Sequence, residues 1–322
     1  MTENTAAPPA PGKVLRWVLG ARPRTLPAAI VPVVVGTAAA ARYHPSGTTE
    51  AVPRIDSWWC ALFALIVALS LQIGTNYAND YSDGIRGTDD ARVGPVRLVA
   101  ARLAAPESVR SAALLAYGVA GAAGVILVWA TSWWLVPIGA ASILAGWFYT
   151  GGPRPYGYAG FGELFVFVFF GLVATAGTFY VQTLRLGVPV LWCAAVMVGL
   201  LATALLLANN LRDIASDTAS GKHTLAVRLG RRRAGFAYLF CIAAPFAGAL
   251  AWSLGALAWP GAPAHRLALL LTLLALPAAV APARRVASGA EGGALLPVLA
   301  ATGRLQVVFG VLLAASLLWW FS

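Results

Sequence analysis

The chain has 322 residues, of which 59% are hydrophobic and 11% charged, and its mean hydropathy is +0.75. That is too apolar for a water-soluble domain of ordinary composition. In a soluble protein the formal net charge of +11 would suggest nucleic acid, but in a membrane chain it belongs to the loops, so no nucleic-acid partner is implied.

Residues 1–12 are rich in Ala and Pro without an apolar core and read as a disordered tail, leaving 13–322 as a single transmembrane domain. Leu26 to Ala41, behind Arg16, Arg22 and Arg24, could pass for a signal peptide. Pro27 and Pro32 interrupt it and many apolar runs follow, so it reads as a first span. A helix needs roughly 20 apolar residues to cross the hydrocarbon. On that measure the sequence predicts an all-α polytopic membrane protein of about nine spans, at about 24–42, 57–83, 108–130, 133–150, 160–183, 188–212, 234–259, 265–283 and 302–321. The connections at 131–132 and 184–187 are tight hairpins, whereas 84–107 and 213–233 are long, polar and basic. Cys60, Cys193 and Cys241 lie inside apolar runs and predict small buried residues rather than disulfides.

With the N-terminus inside, 19 of the 23 Lys and Arg face the cytoplasm, and only Arg42, Arg54, Arg185 and Arg266 lie outside. This positive-inside bias predicts a multi-pass protein of the cell membrane. Trp58, Trp59, Trp133, Trp134, Trp252, Trp259, Trp319 and Trp320 then fall at or near the outer interface, and Arg231, Arg232 and Arg233 read as contacts to anionic headgroups.

The polar chemistry is concentrated in two stretches. The first is Gln72-Ile-Gly-Thr-Asn76-Tyr-Ala-Asn79-Asp80-Tyr-Ser-Asp83, which ends the second span and runs on to Asp89 and Asp90. At about 100° per residue, Gln72, Asn76, Asp80 and Asp83 fall within one arc of about 80°, with Asn79 at its edge. The second stretch is Asn209-Asn210-Leu-Arg212-Asp213-Ile-Ala-Ser-Asp217, continuing to Gly221-Lys222, with Asn209, Asp213 and Asp217 at i, i+4 and i+8. Six of the seven Asp in the chain lie in these two stretches. Their recurrence suggests two four-helix halves with a ninth span added. Ionisable groups at span ends are costly and usually functional. Magnesium takes oxygen ligands and is held by one or two carboxylates together with a substrate's phosphates. Arg86, Arg92, Arg97, Arg154, Arg212 and Lys222 supply cations for phosphate oxygens. Aromatic rings at Tyr77, Tyr81, Trp147, Phe148, Tyr149, Tyr156 and Tyr158 could shelter a carbocation from water.

These residues resemble the two Asp-rich motifs of the UbiA superfamily of intramembrane aromatic prenyltransferases, and more narrowly its 1,4-dihydroxy-2-naphthoate branch. The resemblance rests on Ala21-Arg22-Pro23-Arg24-Thr25-Leu26, on Asn79-Asp80-Tyr81-Ser-Asp83-Gly84 through Asp89, and on Gly94-Pro95-x-Arg97-Leu98-Val99. It also rests on Tyr149-Thr150-Gly151-Gly152-Pro153-Arg154-Pro155-Tyr156-Gly157-Tyr158, followed by Gly162-Glu163, and on Asn209 through Gly230. It runs from about residue 16 to the C-terminus. It implies a UbiA-type helical bundle with a central cavity open to the cytoplasm, and transfer of a prenyl group from polyprenyl diphosphate to 1,4-dihydroxy-2-naphthoate. The carboxylate would leave as CO2 to give demethylmenaquinone. Under this resemblance Asn76, Asp80, Asp83, Asp213 and Asp217 bind Mg2+, Asn79 and Asn209 lie beside the diphosphate, and Arg97, Arg154, Arg212 and Lys222 bind diphosphate or the naphthoate carboxylate. An Asp of either cluster, or Tyr149, would take part in deprotonation and orientation. The first motif departs from Asn-x-x-x-Asp-x-x-x-Asp, because Asn79 and Asp83 are followed by Gly87, so a third carboxylate would be Asp83 in the register of Asn76, or Asp89. A secondary transporter would carry its carboxylates near mid-bilayer. A CDP-alcohol phosphotransferase would need Asp-Gly-x-x-Ala-Arg, whereas here Asp83-Gly84 and Ala91-Arg92 stand too far apart. Prenyl chain length and homo-oligomer formation are left open.

Overall fold

The structure is a computed structural model and describes residues 12–41, 58–88, 96–255 and 264–320. Among these residues all the regular secondary structure is helical. A short helix α1 (Lys13–Gly20) and a 3-10 turn lead into α2 (Pro27–Ala41), and α3 (Trp58–Ile85), α4 (Pro106–Ala130) and α5 (Leu135–Phe148) follow. Next, α6 (Gly162–Val166) and α7 (Ala174–Thr183) are joined through a π-helical stretch at Phe167–Val173 into one span. The bundle is completed by α8 (Pro189–Ala219), α9 (Leu225–Ser253), α10 (Leu276–Ala287) and α11 (Leu296–Trp320). The π turn lies where the chain presses closely on its neighbour: a Cβ on Gly171 would meet the Gly199 Cα of α8 at 2.4 Å.

Among the described residues seven helices are long and apolar enough to cross a membrane, or eight if the bent α1–α2 pair counts as one span. The expected nine differs for two physical reasons. The first span is broken by 55° between Lys13–Thr25 and Pro27–Ala41, shortly after Arg22 adopts a left-handed φ of 53° ahead of Pro23. The fourth, α5, has 14 residues, about 21 Å of helix against roughly 30 Å of hydrocarbon. Trp252, expected at an interface, is instead buried in the core, whereas Trp58, Trp133, Trp134 and Trp319 are exposed. Trp259 lies outside the described residues, as do Asp89, Asp90 and Arg92. The three cysteines are free.

The main core joins α2, α7, α8, α9 and α11 around Phe179, Leu201, Tyr238, Phe309 and Leu313. A second cluster holds α3 to α4 through Tyr77, Val109, Ala113 and Tyr117. Between the two lies a cavity of about 600 Å3. The helices with the acidic stretches are long, 28 residues in α3 and 31 in α8. At 1.5 Å per residue, Asp83 lies about 38 Å along α3 from Trp58, more than the hydrocarbon thickness. Their acidic ends therefore belong at a membrane surface rather than at mid-bilayer.

Candidate active site

Both acidic helices end in the same way. In α3, Thr88 N–H donates to Asp83 O at 3.1 Å and Gly87 N–H to Gly84 O at 3.3 Å, with Gly87 at φ 67°. In α8, Lys222 N–H donates to Asp217 O at 2.8 Å and Gly221 N–H to Thr218 O at 3.2 Å, with Gly221 at φ 72°. These are Schellman terminations, with glycine at the left-handed position four residues after an aspartate. The pattern Asp-x-x-x-Gly thus sets equivalent registers, Asp83 with Asp217 and Gly87 with Gly221. At each end an aspartate that lines the cavity stands in the last turn of its helix.

The two ends meet. Lys222, turned back by the Gly221 reversal, places Nζ 3.0 Å from Asp83 Oδ1, with the two side chains only 5% and 4% exposed. Tyr158 O–H donates to the same oxygen, Lys222 Nζ stands 4.8 Å from the Tyr158 ring centroid, and His223 N–H donates to Tyr158 O at 2.9 Å. Thr224 Oγ1 lies 3.5 Å from Asp217 Oδ2. Arg212 clamps Asp213 through Nε and Nη2, both at 2.7 Å, and also reaches Asn209 Oδ1 at 2.7 Å.

The cavity opens beneath this junction. Asn76, Asn79, Asp83, Arg97, Tyr149, Asn209, Arg212, Asp217 and Lys222 all line it, together with apolar residues such as Ala64, Val67, Ala120, Leu127, Val128 and Ile143. Tyr149, Tyr156 and Phe165 form an aromatic wall, with ring centroids 5.5 Å and 4.0 Å apart in succession. Burial, then the Asp83 carboxylate, raises the Tyr158 phenol above its ordinary range, so it stays protonated at neutral pH and donates to Asp83 Oδ1.

Other sequence expectations land elsewhere. Asp80 does not share the space of Asp83. It stands at the far edge of the α3 arc, about 80° from Gln72, and turns to a neighbouring loop, accepting backbone N–H groups from Leu98 and Val99. Arg154 is exposed and away from the cavity. Arg86 secures the 150–152 turn, donating to Thr150 O and to Gly152 O at 2.6 Å. Tyr77 donates to Trp17 O at 2.8 Å, and Phe148 faces outward. Glu163 is buried behind the site and accepts from Asn210 Nδ2 at 2.9 Å. The α1–α2 break adds residues that helix-face reasoning alone does not reach. Arg22, Arg24 and Thr25 line the cavity, and Asn76 Nδ2 donates to Ala21 O at 2.9 Å and Thr25 Oγ1 at 3.0 Å. The signal for them was the Arg22-Pro23-Arg24-Thr25 motif at the helix break.

Among the described residues no three His, Cys, Asp or Glu side chains gather as a preformed metal site. The donor set is nevertheless hard oxygen: Asp83, Asp217, Asn79 and Asn209. Helix C-termini and carboxylates repel an anion, so a diphosphate at this mouth requires cations, and Lys222, Arg97 and Arg212 already point there.

Residues 29–291 match the UbiA prenyltransferase family. The chain is a member of this family. It is 50% identical to 1,4-dihydroxy-2-naphthoate octaprenyltransferase of Mycobacterium tuberculosis, over 94% of this chain and 96% of that one. With the protein of the same name from Mycobacterium leprae the identity is 48%, over 94% and 96%. The fold matches a UbiA homolog from Archaeoglobus fulgidus solved bound to GPP and Mg2+, with a TM-score of 0.61 and 14% identity, covering 94% of this chain and 99% of that one. This UbiA-family chain is thus a multi-pass membrane protein whose two Asp-rich helix ends meet over an apolar cavity.

Proposed function

We propose that this protein transfers a polyprenyl group from polyprenyl diphosphate to 1,4-dihydroxy-2-naphthoate, releasing CO2 and diphosphate and forming demethylmenaquinone in its reduced, quinol form, with Mg2+ as cofactor. The observation that carries the reading is the buried Lys222–Asp83 pair joining the two acidic ends at the mouth of an apolar cavity. The names of the mycobacterial relatives support the acceptor, and the GPP and Mg2+ held by the Archaeoglobus homolog support a prenyl diphosphate and a divalent metal. The excess of Lys and Arg in one set of loops supports a site opening to the cytoplasmic face of the cell membrane.

Asp83 and Asp217, aided by Asn79 and Asn209, would hold Mg2+, which when bound neutralises charge on the leaving diphosphate, while Asp213, both oxygens held by Arg212, orients that guanidinium. Lys222, Arg97 and Arg212 bind its oxygens, as preorganised charge does most when water is excluded. The allylic C–O bond breaks toward this cationic mouth. The aromatic wall of Tyr149, Tyr156 and Phe165 stabilises the positive carbon and excludes water. A C–C bond then forms to the electron-rich ring at the carbon that loses CO2. Tyr149, as a phenol, orients the acceptor through its O–H, which leaves the acceptor's hydroxyl proton to a carboxylate at the mouth. The prenyl tail lies in the apolar depth of the cavity.

The test is an assay of purified protein with 1,4-dihydroxy-2-naphthoate or 4-hydroxybenzoate, each with a long polyprenyl diphosphate, with and without Mg2+. Prenylated, decarboxylated product from naphthoate alone, lost in EDTA, is expected. Product from 4-hydroxybenzoate alone would overturn the acceptor, and undiminished turnover in EDTA would overturn the metal.

A further inference from the structure

The motif Asn79-Asp80-x-x-Asp83 offers two carboxylates, and only Asp83 lines the cavity. Asp80 is fully buried. Its Oδ2 accepts Leu98 N–H at 2.7 Å and its Oδ1 accepts Val99 N–H at 3.1 Å, so consecutive backbone donors take both oxygens. Those donors open a compact turn. Ala101 N–H donates to Arg97 O at 3.0 Å, Leu103 N–H to Leu98 O at 2.8 Å, and Arg102 adopts φ 54°. The turn is seated on both sides. A Cβ at Gly20 would strike Leu98 Cδ1 at 2.7 Å, and one at Gly84 would strike Val99 Cγ1 at 2.4 Å. The residue immediately before the two donors is Arg97, which lines the cavity.

We propose that Asp80 is a positioning residue: its carboxylate pins the Leu98–Val99 backbone and thereby sets the direction from which Arg97 enters the diphosphate end of the cavity. Two consecutive N–H groups converging on one carboxylate form an anion cradle within the protein itself. The carboxylate is the one side chain able to accept from both, since an amide in its place presents one acceptor and one donor. The helix-end register agrees. Asp83 matches Asp217, Asn79 matches Asp213, and Asp80 matches Ile214, a position that α8 leaves without a ligand atom. The inference rests on the proposed prenyl-diphosphate chemistry and assigns Asp80 a role apart from metal binding.

The experiment compares Asp80→Asn, Arg97→Gln, Asp83→Asn and Asp80→Asn/Arg97→Gln in the full chain in nanodiscs. It reads the KM for polyprenyl diphosphate, the KM for 1,4-dihydroxy-2-naphthoate and the Mg2+ concentration for half-maximal rate. Asp80→Asn is expected to copy Arg97→Gln: the diphosphate KM rises about 10- to 100-fold, the loss of one charged hydrogen bond, while half-saturation by Mg2+ stays at the wild-type value. The double variant should be no worse than Arg97→Gln. Gly84→Ala displaces the same turn through Val99 without touching the carboxylate, so it tests the inference even where Asp80→Asn fails to fold, and it should show the same KM rise. The proposal is overturned if Asp80→Asn shifts the Mg2+ requirement as Asp83→Asn does, if the double variant is additive, or if Gly84→Ala leaves the diphosphate KM unchanged. If neither Arg97→Gln nor Asp83→Asn alters the diphosphate or Mg2+ dependence, it is the diphosphate assignment itself that fails.

Discussion

Lys222→Met removes the ammonium that joins the acidic ends while keeping a linear side chain against Tyr158. In the wild type the Lys222 Nζ to Asp83 Oδ1 distance is 3.0 Å and both groups are almost wholly buried. Removing one partner of such a pair leaves an uncompensated buried charge, at a cost of about 3–5 kcal/mol. Asp83→Asn strands the ammonium in the same way. The double variant strands neither, so its destabilisation should fall short of the sum by about 1–3 kcal/mol of coupling. Thermal unfolding of the four proteins in one detergent at one scan rate reads this as single variants each several degrees less stable, and a double variant whose melting shift falls clearly short of the sum of the two. Turnover of Lys222→Met should drop by about 10²–10³, the usual loss on removing one group that stabilises developing charge. Additive melting shifts would refute the pair, since two ends that do not touch cannot couple.

The cavity depth sets a second prediction. Gly121 and Gly124 line it, and a Cβ on either would meet nothing within 4 Å. Gly124→Phe should therefore insert without strain and cut turnover of long polyprenyl diphosphates far more than that of geranyl diphosphate; equal losses would show that the tail lies elsewhere. Gly171→Ala drives a methyl into the Gly199 backbone of α8 and should lower the melting temperature by overpacking worth about 1–3 kcal/mol, read by the same scans. The Tyr158 phenol is raised by burial, then by the Asp83 carboxylate and its hydrogen bond. A raised phenol contributes stability below its unfolded value, near 10, that is lost only as pH rises through the folded value. Tyr158→Phe should thus lower activity without altering the shape of the pH–rate profile at neutral pH, and a new ionisation there would refute it.

Much of the fold could be read from apolar runs, because hydrocarbon demands long helices with every backbone group paired. The same rule does not reveal where a run falls short. Residues 133–150 are apolar throughout, yet Trp133 and Trp134 are spent in the turn and the helix begins only at Leu135. Nor does it reveal the 55° break between Thr25 and Pro27. In the site, Asn76, Asn79, Asp83, Asn209 and Asp217 were legible because helical periodicity aligns them, and Lys222 because it is a cation that follows the second acidic helix end. Asp80 was misplaced by that same periodicity. An arc of 80° is wide enough to span two environments, and only the Leu98–Val99 turn, distant in sequence, decides which one Asp80 meets. The equivalent helix ends were written in the sequence as Asp83-x-x-x-Gly87 and Asp217-x-x-x-Gly221. The glycine that ends each helix, rather than the amide that precedes it, fixes the register. Arg154 follows Pro153 in a turn that points outward, a direction no local pattern encodes.

Binding of Mn2+ in place of Mg2+, followed by electron paramagnetic resonance in the presence of a non-reactive prenyl diphosphate analogue, reads directly whether the ends of α3 and α8 act as one site. Loss of analogue-dependent Mn2+ binding in both Asp83→Asn and Asp217→Asn, each helix contributing one indispensable carboxylate, is the predicted result. Full Mn2+ binding retained by either variant would contradict it.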